Sequence, residues 1–158
     1  MSKKLEKNGL WESSRMMLPQ HREALLNRHR DVPHVAPSRP KREEIELMRD
    51  YILLPVMHTL VSKKMREMEA SSETLKLLYA KVAQILAQSI YMDLSKIKQE
   101  MMEKEIRMSD EEKDDSMIHC RYVCRGYEDG FTITKEAMRA EISVRLRRYT
   151  DQLMAKLR

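Results

Sequence analysis

The chain has 158 residues, of which 42% are apolar, 35% charged and only 5% aromatic, with three Gly, five Pro and 14 Met. That is enough chain for one domain plus an arm, and the shortage of aromatics and glycines points to a helix-rich core of Leu, Ile and Met, which argues against an all-β fold or a disulfide scaffold. Its net charge of +5 is uneven: residues 1–42 hold ten Lys/Arg against four Asp/Glu, so the remainder is nearly neutral and the basic excess belongs to the N-terminal arm.

Residues 8–25, NGLWESSRMMLPQHREAL, spend the sole tryptophan and a Met-Met-Leu triplet outside any long helical pattern. Leu10, Trp11, Met16, Met17 and Leu18 are too apolar for a solvated tail and too few to bury one another. They need a surface elsewhere, on the body of this protein or on a partner, with Arg15 and Arg22 as a basic rim. This arm can steer toward nucleic acid, toward an acidic protein face, or serve only as a solubilising extension. Pro19 suits a first helical position, and a short helix is expected to run to about His29. The stretch resembles the opening of the YolD-like proteins, a match that runs over residues 2–47 and is dense over 8–25. The resemblance implies an accessory role in DNA-damage tolerance, as an SOS-type factor serving a Y-family, error-prone DNA polymerase in translesion synthesis. It also implies a small β-rich domain after the linker, whereas this chain continues into long helical patterns.

Residues 31–41 place three prolines in a row of eight positions, an extended linker. The sequence therefore divides into an arm (1–30), a Pro-rich linker (31–41) and a helical domain (42–158). From Arg42 to Glu69, Ile45, Met48, Ile52, Val56 and Leu60 recur at helical spacing, with Pro55 expected to kink or split the helix near Leu54. Ser71 and Ser72 are N-cap candidates for a second helix of over thirty residues, whose stripe runs through Leu75, Leu78, Val82, Ile85, Leu86, Ile90, Leu94, Ile97 and Met101 toward Ile106. Its charged far end, residues 96–107, is expected to project into solvent or against a partner. Residues 109–116 are acidic and read as a solvated loop. Residues 117–134 then alternate at period two around a turn placed at residues 126–130, a β-hairpin. Thr134 can cap a last helix striped by Met138, Ile142, Leu146, Tyr149, Leu153 and Leu157. The predicted fold is mainly α: a bundle of about three long helices with one small hairpin, preceded by the arm.

Chemistry-bearing motifs are scarce. Cys120 and Cys124 stand ~13 Å apart on a strand, too far for one ion or a disulfide, so two thiols packed in the core fit better than a zinc site with His119. Ser95 and Lys98 have the spacing of a Ser-x-x-Lys motif without its companion motifs. Gly9, Gly126 and Gly130 make no phosphate loop, and the five histidines show no ligand spacing. These observations predict a non-enzyme without metal or cofactor. No secretory or membrane segment is visible, and the two cysteines suit a reducing compartment, so a cytoplasmic protein is expected. The first functional reading is an accessory protein binding a protein partner, a Y-family DNA polymerase, through Leu10, Trp11, Arg15, Met16, Met17, Leu18 and Arg22. The alternative is a small DNA-binding regulator that uses the basic arm with the hairpin and last helix, where Arg139, Arg145, Arg147 and Arg148 are the candidate nucleic-acid contacts against a bland reading as a solvated basic face.

Overall fold

The computed structural model describes residues 37–158, apart from the side chain of Asp110; the arm, its expected short helix and its seven candidate residues lie outside the described residues. Helix α1 (Arg42–Ala70) begins where the backbone N–H of Lys41 donates to Glu44 Oε2 at 2.8 Å, with Glu43 and Glu44 in the first turn complementing the helix dipole. The helix does not split at Pro55. That residue is exposed, so the Tyr51 carbonyl it orphans lies within reach of solvent, while Leu53, Leu54 and Met57 around it are buried and hold the axis.

Ser71, expected among the caps of the second helix, closes the first: its hydroxyl donates to the Met68 carbonyl at 2.8 Å. Helix α2 (Lys76–Glu103) starts after Leu75 without a side-chain cap. Its buried residues, Ala80, Ala87, Ile90, Leu94 and Met101, form a seam at spacings of seven, three and four that packs along α1. The single stripe read from the sequence is therefore two faces. Leu75, Leu78 and Ile85 lie on the outside, and full burial of the stripe's residues begins only at Ile90, with Leu86 and Ile97 half-buried.

The far end of α2 is not a projection. Glu105 reverses the chain at φ 54°, and β1 (Ile106–Lys113), β2 (Met117–Cys124) and β3 (Tyr127–Thr134) form a three-stranded antiparallel sheet in the order β1-β2-β3. Strand β1 replaces most of the expected acidic loop. A bulge between Met108 and Asp110 erases the alternation that would have marked it, and its acidic residues suit an edge strand, where exposed charge discourages pairing with other chains. The β2–β3 turn is Arg125-Gly126, at φ 49° and 84°, the positive-φ pair of a two-residue hairpin. The five-residue turn expected at 126–130 is thus corrected: Tyr127 already pairs with Cys124, and Gly130 lies within β3 opposite Arg121. There a Cβ would stand 2.7 Å from the Cys120 carbonyl oxygen, a close backbone approach that calls for glycine.

Helix α3 (Lys135–Lys156) is capped by Thr134, whose hydroxyl accepts from Ala137 N at 3.1 Å. Met138 and Ile142 are buried, Leu146 and Tyr149 half-buried against the core, Leu153 half-buried and Leu157 exposed, so its apolar stripe leaves the core only toward its end. The inner sheet face, Ile118, Cys120 and Ile133, joins Ile52, Leu53, Met57, Ile90 and Leu94 in the main core cluster, while Leu47, Met48, Met101, Ile106, Tyr122 and Cys124 make a second cluster. The described domain is mostly helical with a small antiparallel sheet. No helix among the described residues is long and apolar enough to cross a membrane.

Candidate functional site

Three helices converge on a polar crevice of about 280 Å³, lined by Asp50 and Leu54 of α1, Asp93, Lys96 and Ile97 of α2, and Arg145, Arg148, Tyr149 and Gln152 of α3. Most of its charges are paired. Arg145 is paired with Asp50 and lies 3.6 Å from Glu141, Arg49 donates to Glu141, and Lys96 stands 3.5 Å from Asp93. The Tyr149 hydroxyl donates to Asp93 Oδ2 at 2.7 Å. Burial, reinforced by that acceptor, pushes the Tyr149 phenol well above its ordinary range, and burial beside Arg148 and Arg49 lowers Arg145. These pairs fasten α3 across the other two helices, while the Nε of Arg49 is buried without a hydrogen-bond partner among the described residues.

The four arginines of α3 are not brought together. Arg145 and Arg148 line the crevice, whereas Arg139 and Arg147 are exposed on other sides of the helix. Arg145 is committed to carboxylates, so the four do not form one basic face. The hairpin beside α3 likewise turns its inner face to the core.

Nearer the start of α1, Arg125 holds three segments. Its guanidinium donates to both oxygens of Glu44, at 2.8 and 3.0 Å, to the Lys104 carbonyl at 3.2 Å and, through Nε, to Ser38 Oγ at 2.7 Å. This bidentate pair holds the buried Glu44 carboxyl down at a pKa of about 2. The clamp was not legible in the sequence: Glu44 announces itself only as a first-turn acid, and its partner lies 81 positions away.

Cys120 and Cys124 are buried, free thiols in the sheet's inner face, and burial raises both, Cys120 to about 11. They are core groups. His119 faces outward and shares a 2.9 Å hydrogen bond with Thr132 Oγ1. Among the described residues, no group of three His, Cys, Asp or Glu is placed to hold a metal ion.

The surface that departs most from an ordinary exterior is the first part of α2. Residues 75–92 carry only two charged side chains, Lys76 and Lys81, and leave Leu75 (52%), Leu78 (56%), Ile85 (39%) and Met92 (53%) exposed, along with Leu77, Tyr79 and Tyr91. Single exposed leucines are ordinary, but a contiguous set on one helix marks an interaction surface.

Comparison with curated proteins and with solved structures finds no match to the chain. Comparison with protein families matches residues 39–154 to the family described as YhjD protein, a span that covers α1, α2, the whole sheet and all but the last two residues of α3. The departure from the YolD-like pattern after the linker has its explanation in that span, for over most of its length this chain belongs to the YhjD protein family.

Proposed function

We propose that this YhjD-family chain is a non-catalytic, cytoplasmic accessory protein whose YolD-like arm holds a Y-family, error-prone DNA polymerase during DNA-damage tolerance. The observation that carries the reading is the composition of residues 8–25: Trp11 and Leu10 beside Met16, Met17 and Leu18, edged by Arg15 and Arg22, are the ingredients of an interface hot spot. The described domain is in keeping with an adaptor. Its thiols are buried, most of its crevice charges are paired with one another, and its conspicuous surface is apolar. The test is titration of the purified chain with the Y-family polymerase of the same cell. Trp11→Ala and Met17→Ala should each weaken binding by about tenfold or more, equivalent to about 1.4 kcal/mol or more, with an unchanged melting temperature. Absence of binding by the unaltered chain, or binding indifferent to both substitutions, would refute the proposal.

The exposure of Arg139 and Arg147 keeps one alternative in view, a DNA-binding regulator that adds these residues to the basic arm. Salt separates the two readings. Phosphate-driven binding should fall steeply as salt rises from about 50 to about 200 mM, whereas an apolar arm seated on protein should persist.

A further inference from the structure

Helix α2 has two apolar faces, and α1 covers only one. The outward one is regular: Leu75, Leu78, Val82, Ile85, Ser89 and Met92 follow spacings of three, four, three, four and three, the heptad seam that a second helix fits by knobs-into-holes packing. Of these, Leu75, Leu78, Ile85 and Met92 are exposed and Val82 and Ser89 half-buried. A helix apolar on opposite sides belongs in the middle of a helical layer, not at its edge.

We propose that the occupant of this seam is the same seam of a second copy of the chain, the two α2 helices running antiparallel about Ile85 to make a four-helix bundle from two α1–α2 pairs. Composition favours that occupant: the seam itself holds no charge, and within residues 75–92 Lys81 is the charged side chain on its flank, so two copies can close on each other with little charge to desolvate. Antiparallel pairing about Ile85 sets Leu78 across from Met92, seats Lys81 near the partner's Gln88 and opposes the two helix dipoles. Size agrees as well. The exposed parts of Leu75, Leu78, Tyr79, Ile85 and Met92 would close roughly 1,000 Å² in a two-fold pair, where specific interfaces begin. An isologous contact of this kind needs no second kind of surface, since each copy supplies the patch the other requires.

Sedimentation of the full chain tests the proposal. The unaltered protein should run at twice the 18.8 kDa chain mass at about 100 µM and fall toward the single-chain mass near about 1 µM. Leu78→Glu and Ile85→Glu should both convert it to monomer with unchanged helical circular dichroism, because the altered side chains are solvent-exposed in the single chain. Oxidative cross-linking fixes the direction: Ile85→Cys should couple to its own copy readily and Leu78→Cys should not. A monomer at all concentrations up to about 100 µM would overturn the proposal. So would a dimer that survives both glutamates, or one lost only on removing residues 1–36, which would assign the contact to the arm. Ready self-coupling of Leu78→Cys would overturn the antiparallel arrangement.

Discussion

The sheet end of the domain and the outer side of α2 treat polarity in opposite ways. At the sheet end a buried carboxylate is matched by a guanidinium with both oxygens satisfied, and Ile118, Cys120, Tyr122 and Cys124 of β2 are hidden. Along residues 75–92, Leu75, Leu78, Ile85 and Met92 are exposed and charge is nearly missing. The first region spends its chemistry on holding the chain together, and the second leaves apolar surface that only an added partner can bury. Substitutions in the first should therefore alter stability, and in the second association.

The largest effect is expected from Glu44→Ala, which strands Arg125 among three segments with no countercharge. A loss of about 3 kcal/mol and a melting temperature lower by roughly 10 °C should appear in thermal unfolding. The same pair fixes an acid limb. Glu44 is lowered from 4.5 to about 2 in the folded chain, so its contribution is fully present above pH 4.5 and is lost as pH falls from there through about 2. Denaturant titrations across that window should show this loss, and Glu44→Gln should flatten it. Gly130→Ala comes next: a methyl group 2.7 Å from the Cys120 carbonyl forces β2 and β3 apart, at a cost of about 2 kcal/mol readable from the denaturation midpoint. Tyr149→Phe removes the donor to Asp93 in the crevice and should cost about 1 kcal/mol. The smallest change belongs to Met92→Ser on the outer face of α2, which should move the unfolding free energy of dilute monomer by less than about 0.5 kcal/mol.

What the sequence revealed follows the same division between local and distant causes. The start of α1, the alternation of Ile118, Cys120, Tyr122 and Cys124, and the Thr134 cap of α3 are local signals, and each has its counterpart in the structure. Strand β1 escaped because a bulge and a run of acids hide its period, and its pairing is decided by β2. The two faces of α2 merged into one stripe because Leu86 lies beside Ile85 in sequence but about 100° around the helix, so a list of apolar positions crosses from one face to the other without a gap. Glu44 with Arg125, and Arg145 with Asp50, join residues on different elements, which no spacing rule can pair. Of the nucleic-acid candidates, the sequence grouped four arginines that the helix distributes around its circumference. The arm residues lie outside the described residues, and their assignment rests on their chemistry and on the YolD-like resemblance.

Amide hydrogen exchange on the full chain at two concentrations, about 1 and about 100 µM, measures both regions in one experiment. Protection within residues 75–92 should rise with concentration as the outer face of α2 is covered, while protection of β2, already closed by β1, β3 and the helices, should stay the same. Equal protection of residues 75–92 at both concentrations, or a rise confined to the sheet, would contradict the assignment of association to α2 and of stability to the sheet end.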